Sequence, residues 1–90
     1  MKSYKEEKIS ERIFVRTFDA VDSSKFEWHR DKEDRKIIVL SAGIGWKFQL
    51  DNYLPVNLDQ GVIISIPKET FHRVIAGEGK LKIRLVKDFK

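Results

Sequence analysis

The sequence predicts a single all-β domain, built either as a two-sheet sandwich or as a closed barrel. Three observations favour this class. Apolar and polar residues alternate with a period of two along most of the chain, the alternating runs are short, and turn residues separate the runs at regular intervals. A chain of 90 residues has room for one hydrophobic core, so we expect one domain spanning residues 1–90.

Seven segments have the strand pattern, with the turn signals AGIG, DN, DQG, PKE and GEG between them. They are residues 12–18, 25–31, 36–40, 46–50, 62–66, 71–76 and 81–86. KIIVL at 36–40 is apolar on both faces, which is typical of a central strand. LKIRLV at 81–86 alternates, which predicts one buried and one solvated face. Residues 1–11 are rich in helix formers, so we expect one short helix there at most.

Composition excludes several classes of protein. No apolar stretch approaches the roughly 20 residues that a membrane helix needs, and the first ten residues lack the apolar region of a secretory signal. The chain has no cysteine, so it has neither disulfides nor a thiolate metal site. The net charge is +4, but 14 acidic residues are interleaved with 18 basic ones. We therefore expect a cytoplasmic protein with no membrane or nucleic-acid partner.

Residues 61–76 resemble the second conserved motif of the cupin superfamily. That motif has positions for Gly, Pro, Gly, His and Asn, which here are Gly61, Pro67, Glu69, His72 and Ala76. Three of the five positions match the motif. Gly61 follows a turn signal and Pro67 ends an apolar run, so both residues suit the ends of a strand without reference to any family.

Residues 23–43 resemble the first cupin motif, which has positions for Gly, His, His, Glu and Gly. These positions hold Ser23, His29, Asp31, Lys36 and Gly43. The phrases WHRDKEDR and FHRVIAG also resemble small cupin-like proteins from phage and marine microbial sequences. The resemblance implies a small jelly-roll β-barrel whose interior holds a small ligand or a metal.

The two histidines are candidate metal ligands. In cupins the His, His, Glu and His positions bind the metal, so the resemblance carries ligation to His29 and His72. In a strand, Asp31 projects from the same face as His29, two residues away, and a carboxylate there would replace the second imidazole. Two imidazoles and one carboxylate suit Fe(II) and also accept Mn, Zn or Ni. We therefore expect a divalent transition metal at His29, Asp31 and His72.

Lys36 is the main objection to this metal site. It occupies the position of the metal-binding glutamate, and an ammonium group beside a divalent cation is repelled. In the alternative, the pocket is metal-free and Lys36 pairs with Asp31. A bulge or a register shift of one residue would instead bring Glu33 or Asp34 into the site.

Three functions remain open at this level. The first is a metalloenzyme acting on a small molecule, for example an oxygenase, an isomerase or a lyase. The second is a barrel that binds a sugar or a small acid without metal or catalysis. The third, a single-strand nucleic-acid binder, is disfavoured because Trp46 and Phe48 alternate with Lys47 and point the opposite way.

Trp46 and Phe48 are candidates for the pocket wall as well as for the core. We also expect a homodimer that buries part of RIFVRTF or WKFQL.

Overall fold

The described residues form eight β-strands and no α-helix. In this computed structural model, residues 4–20 and 27–88 are described. The strands are β1 (Tyr4–Lys8), β2 (Ile13–Asp19), β3 (Asp34–Ala42), β4 (Lys47–Leu50), β5 (Val56–Asn57), β6 (Ile63–Ile66), β7 (His72–Ile75) and β8 (Lys80–Asp88). The all-β prediction is confirmed. Within the described ranges, no helix is present that could span a bilayer.

Two antiparallel sheets make up the fold. The larger sheet has the strand order β1-β2-β8-β3-β6, and the smaller has the order β5-β4-β7. Several strands lie next to strands distant in sequence, as β8 does between β2 and β3. This arrangement is consistent with a small jelly roll, in which two sheets enclose one interior.

The core fills the space between the sheets. Its buried side chains are Phe18, Ile37, Val39, Trp46, Phe48, Leu58, Ile66, Leu81, Ile83 and Leu85. Strand β8 shows how the sequence pattern builds this core: Leu81, Ile83 and Leu85 are buried, whereas Lys82 and Arg84 between them are exposed. The predicted solvated face of this strand is therefore confirmed.

The short helix for which residues 1–11 left room is not formed in the described part of that segment. Tyr4–Lys8 is strand β1 and pairs with β2, so that Tyr4 lies opposite Phe18. The rings of Tyr4 and Phe18 pack with their centroids 5.2 Å apart. A segment of five residues is too short to be stable as an isolated helix, and packing against a neighbouring strand outweighs its helix propensity.

Two further boundaries differ from the sequence prediction. Residues 21–26 lie outside the described ranges, and with them Ser23 of the first motif and the start of the predicted strand 25–31. In the rest of that segment only His29 forms a strand-like bridge, to His72. Strand β5, Val56–Asn57, was not predicted, because two residues are too few to show a period.

The turns that follow β3 and β7 touch through their glycines. A Cβ atom built on Gly77 would lie 2.2 Å from the carbonyl oxygen of Ile44 and 2.4 Å from the backbone nitrogen of Trp46. Both neighbours are backbone atoms, so they cannot turn aside as a side chain would. The two loops can approach this closely only because position 77 has no side chain.

We therefore expect Gly77→Ala to destabilise the fold by at least about 2 kcal/mol, in the range of severe backbone clashes. The neighbouring variant Glu78→Ala is the control. It removes an exposed side chain from the same turn and should change the free energy of unfolding by less than about 0.5 kcal/mol. Urea unfolding measures both. Equal stability of the two variants would show that the turns do not depend on this contact.

Candidate metal centre

His29 and His72 form an isolated antiparallel bridge that joins the segment before β3 to β7. The backbone nitrogen of His29 donates to the carbonyl of His72 over 3.0 Å, and the reverse bond is 2.8 Å. Residues directly opposite each other in such a pair project from the same face. The two imidazoles accordingly meet edge to face, with ring centroids 4.2 Å apart.

Asp31 joins the two histidines in one group. One ligand atom from each of His29, Asp31 and His72 lies within 4.8 Å of the other two, which is a separation that a single metal ion can bridge. His72 is 3% exposed and the Asp31 side chain 13% exposed, whereas His29 lies at the surface. The group is thus closed on one side and accessible on the other.

Backbone carbonyls orient both imidazoles. Nδ1 of His72 lies 2.8 Å from the carbonyl oxygen of Thr70, and Nδ1 of His29 lies 3.2 Å from that of Glu27. A carbonyl oxygen can only accept, so each Nδ1 carries the proton and donates it. In the neutral ring, Nε2 then presents a lone pair. This tautomer, with its second nitrogen bonded to a carbonyl, is the usual state of a metal-binding histidine.

Burial lowers the pKa of His72, because the charged imidazolium loses solvation inside the protein. The positive charges of His29 and Arg35 act in the same direction, while the Thr70 hydrogen bond and the Asp31 carboxylate oppose the shift. The His72 ring is therefore neutral at neutral pH, with its Nε2 lone pair exposed to the site.

The contact between His72 and Asp31 tests whether the residues fit a metal. Nε2 of His72 lies 3.3 Å from Oδ2 of Asp31. That oxygen is buried and has no hydrogen-bond partner among the described residues. Two electron-pair donors that face each other without a proton between them repel, and a buried acceptor without a partner is costly. A cation shared by both atoms removes both penalties, so the donor set fits a metal ion.

Arg35 is a residue of this site that the sequence analysis missed. Its Nη2 lies 3.4 Å from Oδ1 of Asp31 and 2.6 Å from Oε1 of Glu33, and its Nε donates to the same Glu33 oxygen over 2.9 Å. Arg35 shares the inner face of β3 with the buried Ile37 and Val39. Counting back from these residues by twos would have placed it in the site.

The proposed ion pair between Lys36 and Asp31 is not formed. Lys36 is exposed on the opposite face of β3, where it lines a separate groove beside Ser65 and Val86. The reason is the alternation of the strand, which turns position 36 outward when position 35 faces inward. The cation beside Asp31 is Arg35. The ammonium group of Lys36 points away from the three donors, so it is no objection to a metal ion there.

The remaining predicted pocket residues have different fates. Glu33 accepts a hydrogen bond from Arg35. Asp34 accepts one from the backbone nitrogen of Lys68 over 2.8 Å. Neither residue lines the cavity beside the site. Trp46 lies in the core, with Nε1 donating to the Glu78 carbonyl over 3.1 Å. Phe48 does line the cavity, and its ring stacks on His72 with centroids 5.6 Å apart.

A cavity of about 300 Å³ adjoins the three donors. Its volume is at the lower end of the range for small-molecule sites. Aromatic and aliphatic side chains from both sheets, among them Phe18, Phe48 and Leu85, form most of its wall. The interior of the barrel is therefore suited to a small ligand with an apolar body.

The pKa of His72 sets how stability depends on pH in metal-free protein. The folded-state pKa lies below the unfolded value of about 6.5, so protonation disfavours the fold. The free energy of unfolding should be highest above pH 6.5 and fall as the pH drops through 6.5 towards the lower folded-state pKa. Urea unfolding between pH 7.5 and 5.5 measures this. His72→Asn should reduce the dependence, and an identical dependence in the variant would contradict the assignment.

Comparison with known proteins places the fold. No protein-family model matches the sequence, and no curated protein matches it significantly. A cupin-2 domain protein from Shewanella frigidimarina is 19% identical, with a TM-score of 0.65 over 97% of this chain and 80% of its own. KdgF from a Halomonas species is also 19% identical, with a TM-score of 0.69 over 97% and 78%. The Fe(II) form of HppE is 12% identical, with a TM-score of 0.69 over 84% of this chain and 41% of its own, so this chain spans less than half of that protein. These likenesses, with the two antiparallel sheets, show that the chain has the cupin fold.

Proposed function

We propose that this protein binds a divalent transition metal through His29, Asp31 and His72, and that it acts on or binds a small molecule in the adjoining cavity. One observation carries the proposal: Nε2 of His72 and the buried Oδ2 of Asp31 face each other with no hydrogen bond between them. The resemblance to the cupin motifs at both histidines supports it. When bound, such a metal polarises a carbonyl group or activates water or O₂.

The chain's own residues prepare this chemistry. The carbonyls of Glu27 and Thr70 hold the two imidazoles in the ligating tautomer, and Arg35 holds Oδ1 of Asp31 so that Oδ2 faces His72. Three protein ligands leave coordination positions open for water or substrate. Two nitrogens and one carboxylate oxygen suit Fe, Mn, Zn or Ni. The solved Fe(II) form of HppE, which shares the fold, supports keeping iron in this set.

A metal-free binding barrel is the second candidate, and Arg35 is the observation that favours it. Its guanidinium group supplies positive charge beside Asp31, the role for which Lys36 was expected. In that case the cavity holds a sugar or a small acid without catalysis, and the space between Asp31 and His72 stays free of metal. Direct metal titration separates the two candidates.

Calorimetric titration of chelator-treated protein with Ni, Mn, Zn and, without oxygen, Fe(II) tests the metal site. We expect wild type to bind at least one of these ions. His72→Asn should weaken metal binding by at least about 100-fold. Loss of a residue that only hydrogen-bonds to a metal ligand costs up to about 100-fold, and loss of the ligand itself should cost more. The Asn amide nitrogen can take the place of Nδ1 and keep the bond to Thr70, so this variant removes the ligand atom Nε2 while disturbing the fold least. Asp31→Asn should have a similar effect.

Lys36→Glu is the matched control for this titration. The side chain at position 36 lies on the outer face of β3, so the added carboxylate should leave the metal affinity unchanged. Failure of wild type to bind any of the four ions would leave the metal-free barrel as the function. Undiminished binding by both Asp31→Asn and His72→Asn would place the metal elsewhere.

The proposal includes a cytoplasmic location and a small molecule, rather than nucleic acid or a membrane, as partner. The cavity between the sheets supports a small ligand, and the interleaving of acidic and basic residues disfavours a nucleic-acid surface. A cysteine-free composition is compatible with a reducing compartment.

We also place a homodimer contact on the outer face of the larger sheet. Ile38 and Ile63 are adjacent there, and Val15 lies in the same row on the far side of Arg84. Ile63 is 61% exposed. This face includes part of RIFVRTF. The aromatic rings of WKFQL are buried within the chain, which removes that stretch as the alternative contact.

Light scattering at micromolar concentration should therefore give the mass of a dimer. Val15→Lys would place a charge in the buried contact and should yield the monomer. Asp51→Lys, which introduces the same charge at an exposed position in the turn after β4 of the smaller sheet, is the control and should remain dimeric. A monomeric wild type would remove this assembly from the proposal.

A further inference from the structure

Arg16 is a largely buried cation on the inner face of β2, away from the three donors. Its side chain is 13% exposed and lines the cavity. Glu6, its partner across β1 and β2, accepts a hydrogen bond from Nε. The guanidinium carbon lies 4.3 Å from the centre of the Tyr4 ring. Burying a cation is costly unless it is paired, and Glu6 is the partner that lets Arg16 lie inside the barrel.

The two contacts orient the guanidinium group without using all of its donors. Glu6 engages Nε and Tyr4 covers one face of the plane, so the direction of the terminal nitrogens is set. Among the described residues, no hydrogen bond is recorded from Nη1 or Nη2 of Arg16. A planar pair of N–H donors in a fixed orientation matches the two oxygens of a carboxylate.

The cavity separates Arg16 from the candidate metal centre by an apolar wall. Strand β8 lies between β2 and β3, so two strand spacings, about 9.5 Å in all, separate the backbone of β2 from that of β3, and the donors lie beyond, on the segment before β3 and on β7. Ile83 and Leu85 of β8 line the cavity between them. The interior therefore has a cationic group on one wall, electron-pair donors on another and apolar surface between the two.

We infer that the cavity takes a small organic acid with an apolar body, whose carboxylate is bound by Arg16 and whose other end reaches His29, Asp31 and His72. Only this second contact rests on the proposed function. A carboxylate suits the site better than a phosphate, because Arg16 is the guanidinium group with terminal donors to offer, whereas Arg35, the second one in the cavity lining, is engaged by Asp31 and Glu33. A doubly charged phosphate would be left with too few donors.

Hexanoate and benzoate are the probes, with hexanamide and benzamide as neutral partners of the same shape. Calorimetry on metal-free and on Ni-treated wild type should show binding of at least one acid, with its amide at least about 10-fold weaker. Binding should also shift the side-chain ¹⁵Nε resonance of Arg16, which reports contact at this residue rather than elsewhere in the protein.

Arg16→Gln should weaken acid binding by about 10- to 100-fold, the loss expected for hydrogen bonds to a charged group. Because this variant removes only one charge of the Arg16–Glu6 pair, the double variant Glu6→Gln/Arg16→Gln provides a second test in which both charges are absent. It should show the same loss. Lys68→Gln, which removes an exposed positive charge after β6, is the control and should bind as wild type does.

The outcomes for the acid and for the metal are independent. The inference is overturned if neither acid binds to either form of wild type, if the amides bind as tightly as the acids, or if both Arg16 variants retain full acid affinity. None of these results affects the Ni titration. Acid binding that depends on Arg16, in a protein that binds none of the four metal ions, would uphold the inference and reject the metal centre.

Discussion

The reciprocal backbone bridge between His29 and His72 is the constraint on which the site depends. It joins segments that are far apart in sequence and places two imidazoles on one face. A further bond, from the backbone nitrogen of Glu69 to the carbonyl of Asp31 over 2.7 Å, extends the pairing beyond the bridge. A slip of one residue would turn His29 and Asp31 away and bring Trp28 inward, which would remove the donor set at once.

Distance and orientation are determined separately in this site. The bridge sets the distance between the rings, whereas each ring is oriented by the carbonyl two residues earlier in its own segment, that of Glu27 for His29 and that of Thr70 for His72. Both orienting bonds are local, since each spans two residues of one segment. Phe48 then stacks on His72 and shields it from solvent. Preorganisation of this kind lowers the entropy lost when a ligand binds.

The parts of the structure that follow from local alternation could be predicted from the sequence. Alternation placed Asp31 beside His29, and it also placed Leu81 in the core. The alternation of β3, counted back from Val39 and Ile37, puts Arg35 on the inner face and Lys36 outside, yet matching to the cupin motif assigned the position to Lys36. The motif gives the residue type expected at each position. Whether a side chain at that position reaches the pocket depends on the face of the strand from which it projects. Strand β1 could not be predicted, because its conformation depends on pairing with β2 rather than on its own residues.

The two oxygens of Asp31 have different neighbours, and this difference favours a metal over a proton in the site. Oδ1 lies towards Arg35, whose charge Glu33 also balances, and Oδ2 lies towards Nε2 of His72. A cation at Oδ2 therefore need not displace the arginine. A proton could bridge the same gap, but burial lowers the pKa of His72 and makes the protonated ring costly at neutral pH. A divalent metal is bound by neutral imidazole and carboxylate without that protonation, so the conditions that keep His72 neutral also leave its lone pair available to a metal.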